Sequence, residues 1–260
     1  MEPTAAVQEA TMYFFIPVAC AYLFACGAWF AVQRWRPDLW PKAVAQETQR
    51  RWLDLFLVFA VGGGILGIGQ LYRAGYLLPT DGEGLWRALL WNLDNVIIYS
   101  PIAIVLFWRK QSPGTAFLAT EKIGRKIGLG IVIGVASVLL FVTMRGEWGR
   151  LPGIAARVFA LDAIENFFPV FMEAVAMAYV FVRLRWVVGL WPAIAIPAVF
   201  FAVAHIPGSL EEGRSFAYIA AFFVFNGTLT TAILYTVQRS RDVIWIGVVH
   251  YLMDIAIEAF

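Results

Sequence analysis

The chain is predicted to be an all-α, polytopic membrane bundle of about eight transmembrane helices. Three observations predict it. Residues of the AVILMFWYC set make up 61% of the 260, against roughly 45–50% in soluble chains even when Gly is counted. Charged residues are 15%, against about 25% in soluble chains, too few to cover a soluble fold of this size. The apolar runs are continuous and not alternating, which argues against a transmembrane β-barrel. The same composition argues against a soluble enzyme, a nucleic-acid binder or a disordered tail. A net charge of +2 is too small to suggest a polyanionic partner.

A bilayer-crossing helix needs about 20 mainly apolar residues. Eight stretches meet or approach this, at 12–32, 53–70, 88–108, 127–144, 166–184, 189–206, 216–237 and 243–259. The second is interrupted by Gly62, Gly63 and Gly64, and the third contains Asp94 and Pro101. The first ten residues carry Glu2 and Glu9 and no Lys or Arg. A signal peptide wants a basic start, so the first run reads as a retained helix. Cys20 and Cys26 lie six apart in that run, on different helix faces, and read as packing residues.

The basic residues orient this segmentation. Arg34, Arg36, Lys42, Arg50 and Arg51 fall in the first loop, and Arg109, Lys110, Lys122, Arg125 and Lys126 in the third. Arg183 and Arg185 fall in the fifth, Arg239 and Arg241 in the seventh. That puts 14 of the 20 Lys and Arg residues on one side. Basic loops face the cytoplasm, so both termini are expected outside, in a multi-pass protein of the cytoplasmic (inner) membrane. Trp35, Trp40, Trp52, Trp86, Trp108, Trp148, Trp186, Trp191 and Trp245 fall near predicted helix ends, as an interfacial aromatic belt would. The stretch from Gln33 to Arg51 is basic and partly amphipathic and is expected to lie on the cytoplasmic surface. No repeat or low-complexity linker divides the chain. Residues 1–150 read as an accessory four-helix segment and 151–260 as the part with the chemistry, in one integrated membrane domain.

An ionisable group at membrane depth costs a few kcal/mol on insertion scales, so those that stay there usually face the protein interior and have a function. The C-terminal helices concentrate them: Glu173 in the fifth span, His205 near the outer end of the sixth, and His250 and Asp254 in the eighth. The chain's 2 histidines are both in this set. Phe201 and His205 are four apart, as are His250 and Asp254, so each pair shares a helix face. A carboxylate one turn from a histidine can hold it in one tautomer or share its proton. The alternative is a set of isolated polar residues, each satisfied inside the bundle.

Phe201-Ala-Val-Ala-His205 and His250-Tyr-Leu-Met-Asp254 resemble the FxxxH and HxxxN/D motifs of the CAAX-protease and bacteriocin-processing (CPBP, or Abi) intramembrane proteases. Gly189-Leu-Trp-Pro-Ala before the first, Phe225-Asn-Gly227, and the turn from Gln238 to Val243 are similar to the family's surrounding text. The resemblance covers about 165–257. The family's first motif, EExxxR, is incomplete. In register with His205, Met172 stands at the first Glu, Glu173 at the second and Met177 at the Arg. The resemblance implies that a Glu and the FxxxH histidine activate water, while the last His and its Asp partner stabilise the oxyanion. Catalytic residues would then be Glu173, His205, His250 and Asp254. Glu173 is rotated by about 100° from position 172, and a helix slip near Pro169 would let it take the first Glu's place. Glu165, seven residues before Met172, is a second candidate; otherwise it is a solvated residue at the helix mouth.

No serine stands in a nucleophile motif, and Cys20 and Cys26 are in the wrong part of the chain. No cofactor is expected. Two His and a carboxylate can bind zinc, but the absence of HExxH disfavours it. The expected partners are membrane lipids and an exported or membrane-tethered protein substrate, with no nucleic acid. Two other readings stay open. A family member without proteolysis could serve as a membrane scaffold or as a subunit of a membrane complex. A proton-coupled transporter could use the same buried groups, although it should show an inverted repeat.

Overall fold

A computed structural model describes residues 5–40, 50–78, 84–211 and 213–260. The helices are α1 (Ala5–Trp35), α2 (Arg51–Arg73), α3 (Gly84–Trp108), α4 (Ile123–Arg145), α5 (Leu151–Val158), α6 (Leu161–Val188), α7 (Leu190–Ala204), α8 (Ile206–Glu211), α9 (Phe216–Ser240) and α10 (Ile244–Glu258). There is no strand among the described residues. Among the described residues, seven helices are long and apolar enough to cross a bilayer, α1 from Phe14, α2, α3, α4, α6 from Glu165, α7 with α8 as far as Leu210, and α9. The protein is a polytopic helical membrane bundle.

The eighth predicted span is a short helix. The stretch at 243–259 forms α10, with only 15 residues. At 1.5 Å per residue that is about 22 Å, under the roughly 30 Å hydrocarbon core. Yet Val243 at its start bonds the Phe117 carbonyl at one end of the bundle, and Glu258 at its close pairs with Arg157 at the other. Most of it is enclosed by the other helices, from Ile244 to Val249 and again at Met253, Ile255 and Ala256. Small residues let it pack this closely. A Cβ at Gly130 of α4 would stand 2.7 Å from the Trp245 carbonyl oxygen, and one at Gly134 would stand 2.7 Å from Leu252 Cδ1. On the α6 side, a Cβ at Gly247 would stand 2.7 Å from Phe171. Backbones that approach this closely gain dispersion contacts where lipid supplies no hydrophobic drive.

The span interrupted by three glycines and the span holding Asp94 and Pro101 are the continuous helices α2 and α3. Gly64 faces Pro101 of α3, where a Cβ would be 3.2 Å from the proline ring. Asp94, fully buried, accepts a 3.1 Å hydrogen bond from the Leu78 amide and so ties down the connection between α2 and α3.

The connections sort into two ends. At one end Lys122 bonds Asp38, and the Val243 amide donates to the Phe117 carbonyl at 3.0 Å. At the other, Arg157 pairs with Glu258 at 3.7 Å and Arg150 bonds the Ala259 carbonyl. The first, here called the basic end, carries the residues predicted for the arginine-rich loops. Several of these are not in loops. Arg183 is fully buried inside α6, where it donates to Gln111 Oε1 at 2.6 Å and lies 3.5 Å over the Tyr179 ring. Lys126 is in the first turn of α4 and pairs with Asp242 at 2.7 Å, both out of reach of solvent. Burial pushes the Asp242 carboxyl up from the usual range, while Lys126 and the Ile244 and Trp245 amides pull it back.

The aromatic belt also needs one correction. Trp35, Trp52, Trp86, Trp108, Trp148 and Trp191 are exposed on the bundle surface. Trp245 is fully buried, stacked on Trp29 at 5.9 Å, with its indole N–H directed at Ser240 Oγ. Its place beside a turn made it look interfacial, but the turn itself is folded inward against α4. Residues 41–49 of the predicted surface stretch from Gln33 to Arg51 lie outside the described residues.

Candidate functional site

Three helices bring the predicted residues together. Glu173 lies eight residues into the apolar part of α6, which runs unbroken through Pro169. His205 caps the C-terminal end of α7. His250 and Asp254 lie in the second half of α10. Glu173 is within electrostatic reach of His250, His205 and Asp254, and Asp254 is within reach of both histidines. All four side chains are partly buried. The packing of α6 against α7 and α10 produces this arrangement, and the close α4–α10 contact holds α10 in place.

The geometry distinguishes the two histidines. His205 Nδ1 lies 2.8 Å from the Phe201 carbonyl oxygen. A carbonyl can only accept, so Nδ1 carries the hydrogen and Nε2 of the neutral ring is left with a lone pair. His250 turns the other nitrogen to its partner, with Nε2 3.5 Å from Asp254 Oδ2. That is an ion-pair separation, longer than a short hydrogen bond. It leaves His250 Nδ1 for another group.

Aromatic rings wall the cluster. Phe201 lies 4.6 Å from the His205 ring and Phe222 of α9 lies 5.9 Å from it. Tyr22 of α1, buried, lies 6.1 Å from the His250 ring, and its hydroxyl is in the field of Asp254 and Glu173. Tyr99 of α3 is in the field of Glu173. Sequence reasoning missed both tyrosines. A single Tyr in an apolar span carries little signal, since its ring belongs there and only the hydroxyl asks for a partner.

Glu165, the second candidate base, pairs with Arg87 at 3.8 Å and is not among the groups acting on Glu173. Met172 and Met177 pack against the hydrophobic core. Among the described residues, no three His, Cys, Asp or Glu side chains are grouped as metal ligands.

A carboxylate, a histidine with a free lone pair and a second histidine held by a carboxylate form a complete acid–base set. Comparison of the chain with family models, with curated proteins and with solved structures finds no match.

Proposed function

We propose that this protein is an intramembrane endopeptidase of the CPBP type, acting on an exported or membrane-tethered protein. The observation that carries the reading is Glu173 of α6 lying in the field of histidines from two other helices. Glu173 and His205 Nε2 take the proton of a water that attacks the scissile carbonyl carbon. His250, charged and held through Nε2 by Asp254, donates from Nδ1 to the developing oxyanion, the kind of interaction usually worth most in acyl transfer. The proton then passes to the leaving amine, and an acid and an amine result.

The setting proposed for this chemistry is the inner membrane, with both termini extracytoplasmic, so that the cluster opens away from the cytoplasm. Cysteine labelling from outside, in a background without Cys20 and Cys26, tests it. Gly149→Cys should label and Ser112→Cys should not, and the reverse pattern sends the cluster to the cytosol.

The activity test is cleavage of co-expressed membrane substrates by alanine variants at His205 and His250 and by Glu173→Gln. Full cleavage by His205→Ala would rule the mechanism out. One observation favours a second reading, a scaffold without proteolysis: Met172 and Met177 pack as core residues where the family pattern has a Glu and an Arg. A cellular function that survives both histidine substitutions would favour the scaffold.

A further inference from the structure

Most buried or half-buried cations of this protein have a carboxylate. Lys126 has Asp242, Arg109 has Asp54 and Arg145 has Glu147. At the basic end, where α1, α6 and α9 terminate, a group of arginines departs from that pattern. Arg185, exposed, lies in the field of Arg239 and Arg241. Among the described residues no acid pairs with any of the three. Arg34 joins them by register. Phe30 of α1 contacts Tyr235 of α9 at 6.4 Å, and one turn further along these two helices stand Arg34 and Arg239.

Like charges this close raise the energy of the folded state unless something offsets them. The helix ends offset a part. Three C-termini supply roughly half a negative charge each, about 1.5 against four arginines. A positive excess remains for an anion.

The surroundings select the kind of anion. Tyr235 of α9 lies beside Arg239. Its hydroxyl accepts a 3.0 Å hydrogen bond from Arg239, and its ring stacks at 6.1 Å and 3° on Trp191 of α7. Trp191 is 64% exposed and Phe30 is 39% exposed. Exposed rings beside arginines at the ends of membrane-crossing helices suit the headgroup depth that amphipathic aromatics prefer. A free anion gains nothing from an apolar flank, whereas a lipid's acyl chains lie along it.

We propose that Arg185, Arg239 and Arg241, with Arg34 and the Tyr235–Trp191 stack, bind the phosphate headgroup of an anionic phospholipid. The site lies at the opposite end of the bundle from Glu173 and does not depend on the proteolytic reading.

The test uses the full chain purified in detergent. Retention of phosphatidylglycerol against phosphatidylcholine is measured by native mass spectrometry and by the rise in Tm each lipid gives. The wild type should prefer phosphatidylglycerol by at least about tenfold, since each arginine near an anionic headgroup contributes about fivefold. Arg185→Gln/Arg239→Gln/Arg241→Gln should lose the preference. Arg50→Gln/Arg51→Gln/Lys110→Gln, with the same charge removed elsewhere at that end, should keep it. If the first triple is not monodisperse, Arg185→Gln/Arg239→Gln decides by the same ratio, because both side chains are exposed. Retained preference in the arginine variants overturns the proposal. Equal loss in the control also overturns it, since binding would then follow surface charge alone. Displacement of phosphatidylglycerol by millimolar inorganic phosphate would identify a free-phosphate site instead and overturn the lipid assignment.

Discussion

At the basic end Lys126 and Asp242 stand 2.7 Å apart and both side chains are sealed from solvent, whereas the His250–Asp254 pair spans 3.5 Å with both side chains partly open. Asp242 also accepts a 2.8 Å hydrogen bond from the Ile244 amide, and Ser240 bonds the Asp242 carbonyl at 2.9 Å. That region locks the α9–α10 turn onto α4. Around Glu173 the groups are near enough to feel one another, and among the described residues the only close polar contact of these side chains is His205 Nδ1 with the Phe201 carbonyl at 2.8 Å. A structural ion pair needs its lone pairs and protons satisfied by the protein, while a catalytic cluster must leave some of them for water and substrate. The first region is satisfied by the protein itself, and the second keeps polar groups of the kind the proposed hydrolysis would use.

Six substitutions break or sharpen this contrast. The largest expected effect is on chemistry. His205→Ala or His250→Ala should cut substrate cleavage by about 100-fold or more, with the thermal midpoint little changed, as read by parallel cleavage and melting assays. Unfolding in step with lost cleavage would move the histidines to the structural side. Next, Asp242→Asn leaves the Lys126 ammonium buried without its counter-ion and should destabilise the protein by about 3–5 kcal/mol. Glu173→Gln should cost far less stability, so a detergent melting series on the two variants tests the contrast directly; equal losses would erase it.

Smaller effects follow for the packing that places α10. Gly130→Ala puts a methyl 2.7 Å from the Trp245 carbonyl oxygen and should cost about 1–3 kcal/mol as α10 is pushed from α4. Cleavage should fall with it, because His250 and Asp254 move. A variant of unaltered stability would show that the contact is slack. Smallest of all, Tyr22→Phe should lower cleavage by roughly two- to tenfold, the range of one hydrogen-bonding group, with the melting temperature nearly unchanged. Unchanged cleavage would remove Tyr22 from the site.

Glu173, His205, His250 and Asp254 were legible in the sequence because an ionisable residue inside an apolar run is expensive and therefore conspicuous. Arg183, Lys126 and Trp245 were misplaced for the converse reason. Near the end of an apolar run, a basic residue or a tryptophan looks interfacial whether it faces headgroups or folds inward. The Gly130–Gly134 spacing carried a signal for the close α4–α10 contact, since small residues four apart make a flat helix face. Their partner residues are more than a hundred positions away and could not be read from that spacing.

The sequence by itself determined that the chain is a helical membrane bundle, because apolar content and run length decide the solvent a segment can occupy. It also determined which ionisable residues had to find company inside that bundle. Only the tertiary structure decided that α10 is enclosed by its neighbours, that Glu173 of α6 stands among groups from α7 and α10, and that Glu165 pairs with Arg87 instead. Those outcomes depend on how helices rotate and how closely they approach. In a bilayer that is set by packing between surfaces distant in sequence, with little hydrophobic drive to mark them in advance.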